Sequence, residues 1–202
     1  MARYTTVAEA ATVEIPKIKG SRFIADVAPC ESEEAARAFV AAVRKREHAA
    51  RHVCWAFRVG EAGEHARSSD DGEPSGSAGR PILAAIEGSD VTFAVVAVTR
   101  YFGGTKLGVG GLVRAYGGAA AEGLATAGAR RVIPTSDVDV VVPYDALGAF
   151  EAFCARRGLE RPEAAYGDAV TFVFSVPEED AEALAAEVVD ASAGRIAAAV
   201  RE

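Results

Sequence analysis

The chain has 202 residues, half of them hydrophobic and a quarter charged, which is ordinary globular composition and enough for one large domain or two small ones. No run approaches ~18 consecutive apolar residues, so no membrane span is expected, and Met1–Pro16 lacks the basic-then-apolar pattern of a secretory signal. The net charge of −7 is unevenly spread: residues 1–134 carry 17 Lys/Arg against 15 Asp/Glu, and residues 135–202 carry 5 against 14. Such a break favours two domains, 1–134 and 135–202, the second of them acidic. Cys30, Cys54 and Cys154 form no CxxC pair, which argues against a zinc site or a disulfide framework and for reduced thiols in a cytoplasmic protein.

Ser21–Val27 alternates as a strand does. A helix follows, with Ser32 as its cap, Glu33 and Glu34 in the first turn and Arg44, Lys45 and Arg46 near the last, as the macrodipole prefers. Ala36, Phe39, Val40 and Val43 form its apolar stripe. His52–Val59 reads as a second strand, Gly60–His65 as a turn and Ser68–Gly79 as a loop. Arg80–Glu87 suits a short helix with Pro81 in its first turn. The continuous apolar run Val91–Val98 predicts a central strand that opens into a loop, Thr99–Gly111, and then a small-residue helix over Leu112–Ala127. Arg130–Ile133 is expected to return to the sheet. Beyond Pro134 the pattern is strand, helix, strand, strand, helix, strand, the βαββαβ order of a ferredoxin-like unit. The fold class is therefore α+β.

Two glycine-rich segments carry the chemical signal. In the first, Ser69–Pro81, three carboxylates (Asp70, Asp71, Glu73) lie within four positions, followed by small residues and Arg80. Clustered carboxylates suit a hard cation or acid–base work if their pKa values diverge. A capped turn, in which the carboxylates accept from nearby amides, explains them equally. Neither a calcium-loop spacing nor a histidine partner is visible, so no metal site is assigned and no cofactor is expected.

The second segment, Thr99–Gly118, leaves a buried strand and enters a helix N-terminus, where unpaired amides and the dipole favour an anion. Gly103, Gly104, Gly108, Gly110 and Gly111 would let a ligand approach the backbone closely, while Arg100, Lys106 and Arg114 add positive charge. Tyr101, Phe102 and Tyr116 are candidates for stacking on bases. Gly108-Val-Gly110 begins a GxGxxG pattern, but position 113 is Val, and Gly103–Lys106 lacks the Walker A spacing. Gly117, Gly118 and Gly123 inside a helix each cost about 1 kcal/mol relative to Ala, which suggests close packing against the sheet. His48 and His65 are expected to be exposed. His52, at the start of a strand near the acidic loop, is the one histidine placed for a site. No nucleophile elbow or HExxH is present.

Taken together, Asp70–Leu83 and Val98–Tyr116, with Ser21–Ile24 and the stretch Ala50–Trp55 around His52, resemble the signature of the YigZ/IMPACT family. The likeness covers roughly residues 14–134, and the remainder resembles the small C-terminal domain of bacterial members. Ser77 stands where that signature has Thr, which keeps the hydroxyl. The resemblance implies a first domain like the second domain of a small-subunit ribosomal protein, and a second like a domain of elongation factor G. It brings no settled enzymatic activity. Eukaryotic members regulate a starvation-sensing translational kinase by competing for its activator and carry an extra N-terminal interaction domain; the twenty residues before Ser21 are expected to be too few to supply it, so that regulatory role is not expected to transfer.

Three functions fit these residues. The first is RNA binding, ribosome- or translation-associated, with Arg80, Arg100, Lys106 and Arg114 on phosphates, Tyr101 and Phe102 stacking, and the acidic second domain repelling nonspecific contact. Another is an enzyme on a small phosphorylated or carboxylated substrate, with Asp70, Asp71, Glu73 and His52 as metal or acid–base groups. The last is a protein-interaction module anchored by Tyr101 and Phe102.

Overall fold

The computed structural model describes residues 3–201 and divides the chain into two compact units, the first ending at Val132 and the second beginning at Ile133. In the first unit the strands are β1 (Tyr4–Val7), β2 (Ala11–Ile18), β3 (Ser21–Pro29), β4 (His52–Val59), β5 (His65–Ser69), β6 (Ala94–Tyr101) and β7 (Ala129–Val132). The helices are α1 (Glu33–Arg46), α2 (Gly79–Gly88) and α3 (Val109–Ala127). Five strands form an antiparallel sheet in the order β2-β3-β6-β4-β5.

β6 sits at the centre because it is apolar on both faces. Ala94, Val96 and Val98 join the core under α2 and α3, while Val95 and Ala97 face the cluster that contains Ala36, Val40 and Val43 of α1. A strand covered on both sides must read as a continuous apolar run, and this one does. α1 begins as expected: the Ser32 hydroxyl accepts from the Ala35 N–H at 3.1 Å.

Several boundaries differ from the sequence expectation, each for a local reason. β6 starts at Ala94 rather than Val91, because Asp90 and Phe93 adopt positive φ (52° and 51°) and turn the chain before the strand begins. It then runs on through Thr99, Arg100 and Tyr101, which the expectation gave to the loop. His65 opens strand β5 rather than lying in a turn, although it is exposed as expected. β1 and β2 precede Ser21, where no element is predicted. β2 alternates in burial, but Pro16 interrupts the pattern, and pairing with β3 is irregular between Ile15 and Ile18 at this sheet edge. β7 does not return to the main sheet. It pairs antiparallel with β1 as a separate ribbon, since the chain leaves α3 at Gly128, whose carbonyl accepts from the Ala8 N–H.

Only one of the three helix-interior glycines named above is required by packing. A methyl group at Gly123 would lie 2.8 Å from a Val27 methyl and 3.1 Å from the Ala25 methyl, whereas one at Gly118 would meet nothing within 4 Å. At Gly117 the nearest atom, Pro81 Cβ, stands 3.6 Å off, an ordinary contact. Gly118→Ala is accordingly expected to stabilise the first unit by about 0.5–1 kcal/mol through helix propensity. Gly123→Ala is expected to destabilise it by about 1–2 kcal/mol, because overpacking outweighs that gain. Urea unfolding of the two variants beside the parent checks the opposite signs.

The second unit runs β8 (Thr135–Val142), a 3-10 turn (Tyr144–Ala146), α4 (Leu147–Arg157), β9 (Ala164–Tyr166), β10 (Val170–Pro177), α5 (Glu178–Ala191) and β11 (Ala197–Val200). Its sheet has the order β11-β8-β10-β9 and is antiparallel throughout. Val138, Val140, Phe150, Phe172, Leu184 and Val188 fill its core. Gly158, at φ 67°, ends α4 in the left-handed conformation that a helix C-cap prefers. Among the described residues, no helix is long and apolar enough to cross a membrane.

Candidate anion-facing site

Asp70, Asp71 and Glu73 follow directly from β5, and the structure spends all three inside the fold. Asp70 accepts from Gly76 N–H through Oδ2 (2.8 Å), and from Ala78 N–H and Gly79 N–H through Oδ1 (2.9 and 2.8 Å). These last two amides open α2, so Asp70 fills that helix N-terminus from eight residues upstream. Burial pushes the Asp70 carboxyl up, but the three amide donors outweigh it and leave the pKa below its ordinary value. The close approach depends on Gly79: any Cβ there would lie 2.8 Å from the Ser69 backbone.

Asp71 sits at positive φ (42°), which Asp tolerates. Its Oδ2 accepts from Val53 N–H of β4 at 2.7 Å, and its Oδ1 lies 2.8 Å from the Arg44 guanidinium of α1. The Asp71 carbonyl stands 2.8 Å from His52 Nδ1. A carbonyl only accepts, so Nδ1 carries the proton and neutral His52 keeps its lone pair on Nε2. The Glu73 side chain is almost wholly enclosed. Its Oε1 accepts from Arg100 Nη1 and from the Tyr116 hydroxyl, both at 2.7 Å, with the Arg100 and Glu73 side chains only 8% and 4% exposed. Cys54 donates its thiol to the Asp70 carbonyl at 3.0 Å, and burial pushes that thiol up to about 12. Among the described residues no group of three or more His, Cys, Asp or Glu is placed to hold a metal ion.

The second glycine-rich segment behaves differently. Because β6 continues to Tyr101, the two-residue period of a strand sends Arg100 and Tyr101 to opposite faces. Arg100 lies on the α3 side with Glu73 and Tyr116. Tyr101 lies on the α1 side, where its hydroxyl donates to Glu47 at 2.8 Å and that bond raises its pKa. Tyr116 is fully buried, edge-on to Phe23, so it is a core residue and not a stacking surface. Burial also drives its phenol pKa up. Of the three aromatic candidates only Phe102 is open, at 55% exposure, with the Arg100 guanidinium 5.5 Å from its ring centroid.

Between Phe102 and the start of α3 lies a cavity of about 450 Å³. Arg51, His52, Glu73, Arg100 and Lys106 contribute its charged and polar wall, and Pro74, Leu107 and Leu112 are among its apolar residues. Gly108 is the N-cap of α3, at φ 74°, and no side chain caps that helix; the first backbone bond runs from Leu112 N–H to the Gly108 carbonyl. Gly110 and Gly111 lie in the first turn beyond it. Arg80 and Arg114 are exposed but do not line the cavity. Gly103 serves the backbone: a Cβ there would come within 1.9 Å of Gly20. Gly104 at φ 88° only turns the chain. Arg51 and Pro74 were not among the expected site residues. Arg51 precedes His52 and is exposed, and no local pattern marks an arginine that will line a cavity with residues far along the chain.

This arrangement defines a two-unit α+β protein with a cavity at the start of α3 in its first unit. The Impact N-terminal domain family matches residues 19–124, and a domain of unknown function (DUF1949) matches residues 140–195. The chain is 46% identical over 160 residues to "IMPACT family member in pol 5'region" of Thermus thermophilus, covering 79% of this chain and 86% of that protein. It is 35% identical over 184 residues to IMPACT family member YigZ of Escherichia coli (strain K12), covering 90% of each. A crystal structure described as that of "an hypothetical protein" superposes with a TM-score of 0.69 at 34% identity, over 98% of this chain and 97% of that one. The chain belongs to the IMPACT family.

Proposed function

We propose that this chain is a translation-associated RNA-binding protein of the cytoplasm, and that the face around the start of α3 makes the contact. The observation that carries the reading is an asymmetry between the two glycine-rich segments. The carboxylates of the first are consumed by backbone amides, Arg44, Arg100 and Tyr116, while the second leaves a helix N-terminus uncapped beside Arg51, Lys106 and an exposed Phe102. Free amides, cations and one open aromatic ring suit phosphate and base together. Arg80 and Arg114, both exposed, extend the positive charge along α2 and α3. The acidic second unit suppresses nonspecific contact elsewhere. The likeness to domains of a small-subunit ribosomal protein and of elongation factor G that the family resemblance implies would point the same way, as an analogy of fold.

The test is fluorescence anisotropy with a mixed-sequence single-stranded RNA across a salt series, beside Lys106→Ala. Log K is expected to fall linearly with log salt, by about 0.7 per phosphate neutralised, and the variant to bind more weakly with a slope shallower by about that amount. Affinity indifferent to salt would overturn the reading. The enzyme alternative loses support from the same geometry, since Asp70, Asp71 and Glu73 already have structural partners.

A further inference from the structure

Each glycine-rich segment delivers the N-terminus of a helix, and only one of the two is filled. At α2 the carboxylate of Asp70 takes two first-turn amides. At α3, a helix of 19 residues, no side chain takes that place. A second and independent feature marks the same spot. Arg100 is only 7% exposed and lines the cavity, yet its Nε has no hydrogen-bond partner. A buried guanidinium donor left unpaired costs free energy, and an anion in the cavity relieves it. We propose that this cavity receives the terminal phosphomonoester of a nucleotide, whether a free mononucleotide or the phosphorylated end of an RNA strand. The inference rests on the anion-facing reading above and adds to it that the ligand is an end, not an internal stretch of backbone.

The charge balance supports an anion. Glu73 neutralises Arg100, so Arg100 contributes directed donors more than net charge, and Arg51 and Lys106 supply the excess. Depth selects the end. A continuous strand passes over a surface, but Arg100 is more than nine-tenths buried, so only a terminal group reaches it. A phosphomonoester presents three terminal oxygens, against two on a phosphodiester, and so engages the α3 amides, Arg100 and Lys106 together. The cavity volume of about 450 Å³ lies at the small-ligand end of the usual range, which suits a single nucleotide. The exposed face of Phe102, at the mouth, then stacks the attached base.

The experiment compares one short RNA sequence in three forms, with a 5′-phosphate, with a 3′-phosphate and with hydroxyl at both ends, alongside free UMP and AMP and inorganic phosphate as competitors. A phosphorylated end is expected to bind about tenfold more tightly than the hydroxyl form. Lys106→Ala is expected to bring the forms close to parity. Phe102→Ala is expected to weaken UMP and AMP several-fold while leaving inorganic phosphate unchanged. Both side chains are exposed, so neither change threatens the fold. Equal, salt-dependent binding of all three RNA forms overturns the terminal-phosphate site and leaves the RNA reading standing. Binding of UMP and AMP without binding of any RNA supports the site and overturns the RNA reading. Failure of every probe overturns both.

Discussion

Replacing Arg100 with Ala is expected to destabilise the first unit by about 3–5 kcal/mol, because it strands Glu73 as an unpaired buried charge. The pair is short, at 2.7 Å, and both side chains are more than nine-tenths enclosed. Glu73 would keep the Tyr116 hydroxyl, one neutral donor in place of a cation. The exposed pair Arg22–Glu14 of the same unit, about two-fifths open on both sides, provides the contrast: Arg22→Ala is expected to cost far less than Arg100→Ala. The single tryptophan, Trp55 on β4, lies in the first unit, so its fluorescence follows urea unfolding of that unit alone. A double replacement, Arg100→Met with Glu73→Leu, is expected to recover most of the loss, since removing both charges also removes their desolvation cost. A loss below about 1 kcal/mol for Arg100→Ala would mean that the pair is hydrated and contributes little. The result also governs how binding is tested, because weak binding by Arg100→Ala reports unfolding as readily as a lost phosphate contact. Lys106 and Phe102 are free of that ambiguity.

Asp70→Asn is the second large effect. Oδ1 serves two amides and Oδ2 one, so an asparagine keeps Ala78 and Gly79 but turns an NH2 group towards the Gly76 N–H. One lost bond and a facing pair of donors are expected to cost about 1–3 kcal/mol, and Asp70→Ala more, because it leaves all three amides without an acceptor. The pH dependence carries a definite sign. The folded pKa of Asp70 is lowered below its unfolded value, the three amides overcoming burial. Its contribution is therefore complete above the unfolded value of about 3.9, and is lost as pH falls through the lowered folded pKa. The acid limb of the Trp55 unfolding midpoint is expected to flatten in Asp70→Asn relative to the parent. An unchanged midpoint and an unchanged acid limb would show that the amides are satisfied by water.

Helices and strands with a complete local signal are legible in the sequence. Ser32, two glutamates and a basic last turn define α1, and Pro177 followed by an apolar stripe defines α5 over Glu178–Ala191. The βαββαβ succession of the second unit followed from the same periodicities. Less legible were elements whose signal is interrupted or shared. Pro16 hid β2, and β1 and β7 are four-residue strands that pair only with each other across the length of the unit. The end of β6 is not legible because Thr99-Arg-Tyr reads as polar loop, although Thr99 and Arg100 pair in register with both β3 and β4 and Tyr101 with β3.

At the site, sequence by itself determined which residue types were in play: two glycine-rich segments, three clustered carboxylates, a set of cations and aromatic rings, and the entry of the second segment into a helix. Only the tertiary structure decided how they were used. Glu73 meets Arg100 and Tyr116 from 27 and 43 positions away, and Asp71 meets Val53 from 18. Local patterns encode backbone geometry and the apolar face of an element over a few residues. The partner of a buried charge is chosen by which strands and loops converge in space. In this protein that convergence turns the carboxylates inward as struts and leaves the head of α3, with Arg100 beneath it and Phe102 at its mouth, facing outward.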